Sequence, residues 1–579
     1  MFDTVLIANR GEIALRIMRA CNELGLRTIA VYSDADRDAP HVRYADAAYR
    51  VGPAPAPQSY LDIDALLRVA RESGAGAVHP GYGFLAENGA FARACEAAGL
   101  IFIGPPSAAM ARMGGKTDAR REAIAAGVPV VPGTTEPVDS PEAILEVAQE
   151  FGFPIAIKAV GGGGGRGFRV VEHADAVPSA FESARREAQA GFANPDVYVE
   201  KYLSDPRHIE IQVLADQHGN VIHLGERECS VQRRHQKLIE ECPSPALSAD
   251  LRRRMGADAV NLARSVGYVS AGTMEFMLQD GQYYFLEMNT RIQVEHTVTE
   301  MVTGIDLVQA QLRIAQAEPL WITQEQVAWR GHAIECRINA EDPAANFRPA
   351  LGTIGAYSEP AGFGVRVDSG VRADWTIPPN YDSLLAKLIG WGATRDEAIE
   401  RTLRALRDYQ IEGVITTIPF YLQALAHPAF RNGDTTVNFI PRYLAEQLPQ
   451  LARPLPDSQP APAAEPRLVT VEVNGRRFDV RVFAASEAAP ARRAVAMPRK
   501  QAAHALANNG VISALQGTIT AVRAEPGRQV AAGDVLFIVE AMKMENEIVA
   551  PRAGTLDTIL VQAGQSVDAG TVLATFQQS

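Results

Sequence analysis

The sequence predicts a multidomain chain that begins with an α/β domain on a parallel sheet and ends with a small all-β domain. Thr4–Ala8 and Arg27–Tyr32 are apolar runs with the length of strands. Between them, apolar residues recur at helical spacing, at Ile13, Ile17, Ala20 and Leu24. A β–α–β beginning implies a parallel sheet covered by helices. Toward the other end, short β-rich runs alternate with glycine turns, as in an antiparallel β domain.

Length and composition limit the class of protein. The 579 residues are 47% hydrophobic and 21% charged, which suits several globular domains of about 150 residues each. The formal net charge of −12 argues against a nucleic-acid or membrane-surface binder. No apolar run approaches the roughly 20 residues of a membrane span, and we expect no secretory signal. The cysteines are scattered without a CxxC pair, so we expect a cytoplasmic protein with reduced thiols.

Two segments in the last quarter of the chain have the composition of linkers. Segment 447–466 is rich in proline, which favours an extended spacer, and segment 484–510 is rich in alanine without an apolar stripe. Between them, segment 467–483 alternates valines with polar residues around Asn474-Gly475, a typical two-residue hairpin turn. An isolated hairpin is only marginally stable, so we expect this one to dock on a partner.

The C-terminal β segment contains an internal repeat. Gly517-Thr518-Ile519 recurs as Gly554-Thr555-Leu556, an offset of 37 residues (554 − 517). The glycines and valines that follow recur at the same offset. Two similar β halves should therefore pack with pseudo-two-fold symmetry. The midpoint of the repeat falls in Ala541-Met542-Lys543-Met544, which places Lys543 near the expected tip of a hairpin that joins the halves.

A strand that leads into five glycines is the first candidate for chemistry. Phe153–Val160 is largely apolar, contains Lys158, and runs directly into Gly161, Gly162, Gly163, Gly164 and Gly165. The free backbone amides of such a loop can fold over phosphate oxygens, with the lysine as a point charge. The GK[ST] of a Walker loop is missing, and a flexible linker is the alternative interpretation.

An acidic strand further along the chain is the second candidate. Glu287, Asn289 and Arg291 alternate within Phe285–His296, so on an extended strand they project to one face. Glu275 adds a carboxylate upstream, between apolar neighbours. Two carboxylates and an amide oxygen suit Mg²⁺ (or Mn²⁺), which prefers oxygen ligands and shares substrate phosphates. A salt-bridged strand face without a metal is the alternative.

Taken together, these motifs resemble known families. The lysine–glycine loop and the acidic strand resemble the ATP-grasp fold, with the loop in its lid. Gly81–Asn88, His208–Val213, Gln232–Lys237 and Glu335–Glu341 resemble biotin carboxylase. The AMKM tetrapeptide resembles that of a biotinyl domain, for which a lipoyl domain of the same fold is the alternative. Val160 departs from the pattern, because a smaller residue is usual there.

The resemblance implies the fold class and the division into domains. The expected fold is a Rossmann-like α/β N-terminal domain, ATP-grasp α+β domains and a C-terminal all-β biotinyl domain built as a flattened, pseudo-symmetric β-sandwich. The expected segments are the biotin carboxylase N-terminal domain 1–113, the ATP-grasp domain 114–334 with a lid at about 131–203, the biotin carboxylase C-terminal domain 335–446, the proline-rich linker 447–466, the hairpin 467–483, the alanine-rich linker 484–510 and the carrier domain 511–578.

Catalytic roles also follow from the resemblance. It implies that Glu295 deprotonates bicarbonate and that Arg337 stabilises the negative charge that develops on biotin, since a guanidinium stays charged in any surroundings. Lys237 and Arg291 would bind bicarbonate and take part in catalysis. The bicarbonate site would be completed by Gln293 and the amide of Val294.

The implied cofactors are biotin, Mg²⁺ or Mn²⁺, and ATP as a co-substrate. Biotin would be attached covalently to Lys543. The metal would be held by Glu275, Glu287 and Asn289. The ATP site would include Glu275 and Glu287 together with Lys116, Lys158, Gly161, Gly162, Gly163, Gly164, Gly165, Glu200, Lys201, Leu203, His208, Gln232 and His235.

The implied function is ATP- and bicarbonate-dependent carboxylation of biotin by one subunit of an acyl-CoA carboxylase. Acetyl-CoA or propionyl-CoA is the expected acyl acceptor because the region before the carrier is short, and methylcrotonyl- and geranyl-CoA carboxylases are the alternatives. No segment is large enough for a carboxyltransferase, so a separate carboxyltransferase (beta) subunit, a biotin protein ligase and an oligomeric assembly are expected. A carbamoyl-phosphate synthetase would lack AMKM, and a non-catalytic carrier would lack Glu295, Lys237 or Arg337.

Lys543→Arg is expected to abolish biotin attachment, because it keeps the charge but removes the amine that is acylated. A streptavidin blot should lose its signal, while ATP turnover with free biotin should persist, since the carboxylase residues lie in other segments. Lys500→Arg, the same change in the alanine-rich linker, should retain the signal. A biotin signal that survives in Lys543→Arg would show that another lysine is modified.

Overall fold

The computed structural model describes residues 2–160, 168–192, 194–451, 467–473, 476–482, 510–513, 517–541, 544–567 and 570–577. The chain forms two compact units, one of Met1–Glu412 with Thr416–Ala452 and one of Gly413–Ile415 with Arg453–Ser579. The glycines 161–165, Lys543 and most of both predicted linkers lie outside the described residues. Within the described ranges, none of the helices has both the length and the apolar composition of a bilayer span.

The first unit opens with the predicted parallel sheet. Its five strands are β1 Thr4–Ile7, β2 Arg27–Ser33, β3 Ala47–Gly52, β4 Ala77–His79 and β5 Ile101–Phe102. They lie in the order β3–β2–β1–β4–β5 and all pair in parallel. The helices of this region are α1 Gly11–Glu23, α2 Pro40–Tyr44, α3 Ile63–Ser73, α4 Gly89–Ala97, α5 Ser107–Gly114 and α6 Lys116–Ala125.

A small antiparallel sheet carries the strand that precedes the glycine loop. Its strands are β6 Ile155–Ala159, β7 Phe168–Val171 and β8 Val197–Lys201, with β6 in the middle. Helices α7 Pro141–Phe151 and α8 Val177–Phe192 pack with it around a separate apolar core. Val138, which precedes α7, completes this core, and the core is separate from that of the parallel sheet.

The largest sheet has eight antiparallel strands and carries most candidate residues. Its first six are β9 Arg207–Ala215, β10 Val221–Arg233, β11 Gln236–Cys242, β12 Ser270–Gln279, β13 Gln282–Asn289 and β14 His332–Asn339. The strands that follow along the chain, of which β19 and β21 complete this sheet, are β15 Glu341–Asp342, β16 Arg348–Pro349, β17 Thr353–Ile354, β18 Tyr357–Ser358, β19 Val365–Ser369, β20 Trp375–Thr376, β21 Leu384–Gly392 and β22 Gln410–Ile411. The order across the large sheet is β13–β12–β9–β10–β11–β14–β21–β19, and the other short strands form three two-stranded pairs.

Helices cover this sheet and join it to the N-terminal region. They are α9 Ala249–Ser265, α10 His296–Thr303, α11 Leu307–Ala315, α12 Arg395–Asp408, α13 Ile418–Ala426, α14 Pro428–Arg431 and α15 Phe439–Tyr443. Asp62, Ser248 and Thr394 cap α3, α9 and α12 by accepting a backbone N–H three residues later. Apolar side chains of α1 and α11 share one core, so the parallel sheet is fixed against the layer that bears the site.

The second unit contains the predicted hairpin and the β domain. β23 Arg467–Val473 and β24 Arg476–Val482 pair antiparallel. The remaining strands are β25 Gly510–Ile512, β26 Gly517–Val522, β27 Gln529–Val530, β28 Val535–Ala541, β29 Met544–Val549, β30 Gly554–Ile559, β31 Ser566–Val567 and β32 Val572–Phe576. They form two four-stranded sheets, β25–β32–β30–β27 and β29–β28–β26–β31, around one core.

The repeat appears in the strand boundaries, but the two halves are not separate sheets. β26, β27 and β28 begin at 517, 529 and 535, and β30, β31 and β32 begin 37 residues later, at 554, 566 and 572. Each sheet takes strands from both halves, since β26 pairs with β31 and β30 pairs with β27. Exchange of edge strands in this way buries the apolar faces of both halves in a single sandwich.

Candidate active site

One face of the eight-stranded sheet carries a row of carboxylates. In the register of β9, β12 and β13, Glu275 stands directly opposite Glu210 on one side and Glu287 on the other. Like charges directly opposite each other in a sheet are destabilising, and burial strengthens their repulsion. Glu210 and Glu275 are both buried. The fold therefore requires cations at this position.

Lys237 on β11 is the central cation. Its Nζ donates to Glu210 Oε2 at 2.6 Å, to Glu275 Oε1 at 2.9 Å and to Glu295 Oε1 at 2.7 Å. Burial alone would lower the pKa of Lys237, but the three carboxylates outweigh it and raise the pKa well above its ordinary value. Lys237 is therefore a permanent positive charge with no remaining role as a proton acceptor.

Glu295 lies between two cations at the start of α10. Its Oε1 accepts from Lys237, and its Oε2 accepts from Arg337 Nη2 at 2.9 Å. Arg337, on β14, also donates from Nε to Glu240 Oε1 at 2.6 Å. Burial would raise the pKa of Glu295, but Lys237, Arg337 and then Arg227 hold it below its ordinary value. The structure thus brings together Lys237, Glu295 and Arg337, which lie far apart in the sequence, and keeps the carboxylate ionised.

Arg227 belongs to this site although sequence reasoning did not identify it. It lies on β10 with 0% of its side chain exposed. The guanidinium donates to Glu210 and to four neutral acceptors, Gln212 Oε1 at 2.7 Å, Gln293 Oε1 at 2.7 Å, Thr273 Oγ1 at 3.0 Å and Thr299 Oγ1 at 3.0 Å. Glu210 and Glu240 were missed in the same way. The available signal was a charged run within a strand, Glu226-Arg227-Glu228, which becomes informative only once its neighbouring strands are known.

The predicted bicarbonate residues follow β13 in a short loop. The strand ends at Asn289, so Arg291 is not on an extended strand with Glu287 as predicted. Arg291 nevertheless stays close, because its Nη2 donates to Asn289 Oδ1 at 2.7 Å and its Nε to Glu87 Oε2 at 3.3 Å. Gln293 donates from Nε2 to Glu275 Oε1 at 2.7 Å while its Oε1 accepts from Arg227. This leaves one of the two N–H bonds of the Gln293 amide for another acceptor.

Glu275 and Glu287 are the two carboxylates predicted to hold a divalent cation. They oppose each other on neighbouring strands, and burial, together with the charge of Glu275, raises the pKa of Glu287. A hard cation between them would offset this repulsion, so the carboxylate pair fits Mg²⁺. Asn289 fits less well as a third ligand, because its Oδ1 accepts from Arg291 and its Nδ2 donates to Glu275 Oε1 at 2.7 Å. Nε2 of His208 lies 2.8 Å from Glu275 Oε2.

Three of the other predicted nucleotide residues lie close enough to His235 to affect its charge. Burial and the nearby charges of His208, Lys116 and Lys158 lower the pKa of His235, so these four side chains face a common region. Gln232 is buried and pairs with Lys237 in the β10–β11 register.

The hinge-side residues lie on and just after β8. Glu200, at 7% exposure, contacts Lys158 and accepts from Arg120 Nη1 at 2.9 Å, so its carboxylate is already paired. Lys201 is exposed, and Leu203 follows it half-buried. The backbone N–H groups of Lys201 and Tyr202 are also bonded, to the carbonyl oxygens of Pro132 at 2.8 Å and Pro154 at 3.0 Å.

Four family models match the chain in succession. They are "Biotin carboxylase, N-terminal domain" at residues 1–110, "Carbamoyl-phosphate synthase L chain, ATP binding domain" at 115–323, "Biotin carboxylase C-terminal domain" at 335–442 and "Biotin-requiring enzyme" at 509–576.

Curated relatives and solved structures agree with these matches. The "Biotin carboxylase" of Nostoc sp. is 54% identical over 440 residues, which is 76% of this chain and 98% of that protein. The "Biotin-dependent acyl-coenzyme A carboxylase alpha3 subunit" of Mycobacterium leprae is 44% identical over 585 residues, or 98% of each chain. The biotin carboxylase domain of Hydrogenobacter thermophilus 2-oxoglutarate carboxylase, solved with MgADP and bicarbonate, has a TM-score of 0.73 at 47% identity and covers 76% of this chain and 98% of that one.

The fold, the carboxylate–lysine–arginine site and these matches define the class. The chain belongs to the biotin carboxylase family. Within that family it has the fused arrangement, in which the carboxylase domains are followed by a biotin carrier domain, and its full length is similar to an acyl-CoA carboxylase alpha subunit.

The stability of the first unit should depend on pH through Glu228, a buried carboxyl on β10 that accepts from Ser230 and Ser244. Burial raises the pKa of Glu228 from 4.5 to about 7, although Arg207 opposes the shift. The folded state therefore keeps a proton that the unfolded chain releases, and stability is lost as pH rises between these values. Glu228→Gln removes this loss. In urea unfolding, wild type should lose on the order of 3 kcal/mol relative to the variant between about pH 4 and about pH 8, and a constant difference would contradict the assignment.

Proposed function

We propose that the chain carboxylates biotin carried on its own Lys543, with ATP and bicarbonate as co-substrates, as the alpha subunit of an acyl-CoA carboxylase. The observation that carries this proposal is the placement of Glu295 between Lys237 and Arg337 in a buried site beside a carboxylate pair suited to Mg²⁺. Family membership supports the same reaction. The known cofactor set of the class is biotin, ATP and Mg²⁺, with Mn²⁺ as a chemical substitute.

Bicarbonate would bind where its charge replaces that of a protein carboxylate. Lys237 and Arg291 supply positive charge, while the spare N–H of Gln293 and the amide of Val294 orient the anion. Lys237 is shared among three carboxylates, so an incoming anion competes with Glu295 for it. This competition weakens the interaction that lowers the pKa of Glu295, and makes the carboxylate a better base at the moment when its substrate is present.

Glu295 would then take the proton of bicarbonate, whose oxygen attacks the γ-phosphorus of ATP; the bond from that phosphorus to the β–γ bridging oxygen breaks, which gives carboxyphosphate and ADP. Carboxyphosphate would split into CO₂ and phosphate, and the phosphate would take the proton of the biotin ureido nitrogen as that nitrogen bonds to CO₂. Bound Mg²⁺ would offset charge on the phosphates. Glu275 and Glu287 would hold the metal, with Asn289 able to join if its side chain releases Arg291. Lys116, Lys158 and the glycine loop would contact the phosphates, and His208, Gln232, His235 and the Glu200–Leu203 segment would line the nucleotide site.

Arg337 would bind the ureido end of biotin. Its guanidinium is 15% exposed, unlike the fully buried Arg227, so a ligand can reach it. Glu240 and Glu295 hold it from the protein side. A delocalised cation in this position stabilises negative charge on the ureido group without giving up a proton.

The acyl acceptor is proposed from full-length similarity. The relatives differ in the acceptor after which they are named, but the match across 98% of both chains is to an acyl-coenzyme A carboxylase subunit. Acetyl-CoA or propionyl-CoA is our first choice, with methylcrotonyl- and geranyl-CoA as alternatives. A separate carboxyltransferase (beta) subunit, a biotin protein ligase and an oligomeric assembly complete the proposal. The five buried, free cysteines support a cytoplasmic location.

Glu295→Gln should lower bicarbonate-dependent ATP cleavage with free biotin by about 10²–10⁴-fold, the usual contribution of a general base. The amide keeps the shape of the side chain but not its basicity. Nucleotide affinity, measured by equilibrium binding, should change little. Glu72→Gln, the same substitution at an exposed site on α3, serves as the control and should retain full activity. Activity of Glu295→Gln within about threefold of wild type would exclude Glu295 as the base.

The purified, biotinylated chain is expected to label itself with radioactive bicarbonate in the presence of MgATP. The residues for ATP, bicarbonate and biotin and the carrier lysine all belong to this one chain. It should not label acetyl-CoA or propionyl-CoA until a carboxyltransferase subunit is added, because stabilising a thioester enolate needs a folded site with aimed donors. Carboxylation of an acyl-CoA by the chain alone would contradict the two-subunit proposal.

Deletion of 467–483 tests the proposed docking element in the same assay. We expect the shortened chain to label itself normally and to bind the carboxyltransferase subunit more weakly in size-exclusion chromatography. Unchanged assembly would show that β23 and β24 do not mediate docking.

A further inference from the structure

A buried lysine beside the site has no role in the mechanism above. Lys387 lies on β21 with 0% of its side chain exposed. The strand register places it directly opposite Arg337 on β14 and Asp368 on β19. Opposite residues on antiparallel strands project to the same face, so Lys387 points to the side from which Arg337 reaches Glu295. A fully buried ammonium is costly unless it is paired and hydrogen-bonded.

The ammonium of Lys387 is directed at the main chain of the active-site loop. Its Nζ donates to the carbonyl oxygen of Val294 at 2.9 Å. Glu12 Oε1 lies 3.3 Å away and Asp368 Oδ2 lies 3.9 Å away. Asp368 already accepts two hydrogen bonds from Arg366, one from Nε to Oδ1 at 2.9 Å and one from Nη2 to Oδ2 at 2.8 Å. Glu12 is therefore the nearer charge partner of Lys387, while the Val294 carbonyl takes its hydrogen bond.

The hydrogen bond from Lys387 is important because of where the Val294 carbonyl lies in the chain. The Val294 carbonyl belongs to the peptide unit that leads into Glu295. The preceding carbonyl, that of Gln293, accepts from His296 Nδ1 at 2.7 Å. Burial, with the charge of Lys387, lowers the pKa of His296 to about 3, so the ring is neutral and donates from Nδ1. Both peptide units between Gln293 and Glu295 are thus held through their oxygens.

The same contacts extend to the loop that carries Tyr82. The hydroxyl of Tyr82 donates to Glu12 Oε1, the oxygen that faces Lys387. Gly81 and Gly83 have φ of 63° and 68°, a region that glycine adopts without strain, and Asn9 Nδ2 donates to the carbonyls of Pro80 and Tyr82 at 2.7 Å each. Lys387 therefore lies where a fixed loop of the N-terminal region meets the segment that carries Glu295.

We propose that Lys387 is a positioning residue that holds the Val294–Glu295 peptide and thereby aims the Glu295 carboxylate at bicarbonate. Lys237 and Arg337 fix the carboxylate end of residue 295, and Lys387 fixes its backbone end. Arg337 and Lys387 are neighbours on paired strands. The same part of the sheet therefore fixes both the carboxylate and the backbone of Glu295. The inference deepens the proposed function and rests on it.

Lys387→Met tests this inference in the full-length, biotinylated chain. Methionine keeps an unbranched side chain of similar length but has no charge and no donor. We expect kcat for bicarbonate-dependent ATP cleavage with free biotin to fall about 10- to 100-fold, the effect of misplacing a reacting group by roughly 1 Å. The KM for MgATP should change less than about twofold, because Lys387 contacts none of the proposed nucleotide residues that the structure describes.

Glu12→Gln/Lys387→Met separates positioning from charge balance. Removal of the lysine alone leaves the Glu12 carboxylate buried and unpaired with a cation, which is destabilising in itself. The double variant removes both charges, so its melting temperature should recover relative to Lys387→Met. The Val294 carbonyl still lacks its donor, so kcat should stay about as low as in Lys387→Met. If the single variant does not fold, the double variant decides alone.

The possible results test the role of Lys387 and the proposed function of the chain separately. A slow double variant with normal KM for MgATP supports positioning by Lys387. Recovery of kcat to within about threefold of wild type in the double variant, or a Lys387→Met variant as active as that, would overturn it. A rise in KM for MgATP that parallels the loss of kcat would also overturn it, because a general distortion of the active site changes both kcat and KM. A wild-type chain without bicarbonate-dependent ATP cleavage would overturn the proposed function, and this inference with it.

Discussion

The hydrogen bonds from Lys237 to three buried carboxylates are the interaction on which the rest of the site depends. Glu210, Glu275 and Glu295 come from a strand, a second strand and the start of a helix, and without a shared cation they would repel one another. The fully buried guanidinium of Arg227 adds a second positive charge, beside Glu210. Buried ion pairs contribute little to net stability, but loss of one partner typically costs about 3–5 kcal/mol. The site is therefore held in one arrangement by charge balance.

The same balance links binding to chemistry. Lys237, Arg337 and Arg227 hold the pKa of Glu295 below its ordinary value, which by itself would make it a weak base. In the proposed mechanism, bicarbonate bound to Lys237 would take up part of the positive charge that lowers this pKa. We infer that the base gains strength only when bicarbonate is present, which limits unproductive proton transfer. This coupling requires the backbone of residue 295 to stay fixed while its charge partners change, and Lys387 is placed to fix it.

The carrier domain is organised by a different constraint. Its repeat of 37 residues gives two short β halves, neither of which has enough apolar surface to be stable alone. Each sheet takes a strand from the other half, so all the apolar faces meet in one core. Ala541 and Met544, on either side of the biotinylation candidate, pair with each other where β28 meets β29. The sandwich thus brings together the ends of the two strands that precede and follow positions 542–543 in the chain.

Local sequence patterns determined the elements of this protein, and tertiary pairing decided how the site is built. The β–α–β beginning, the hairpin and the repeat follow from spacing and residue type, because these depend on neighbours within a few positions. Lys237, Glu295 and Arg337 were singled out only through the resemblance of their motifs to biotin carboxylase. Arg227, Glu210 and Lys387 could not be found in this way. An isolated charged residue in a strand has the same local pattern whether it is solvated or buried. Only the register of β9, β10, β12, β14 and β21 shows which charges face one another, since strand pairing joins residues that are distant in the sequence.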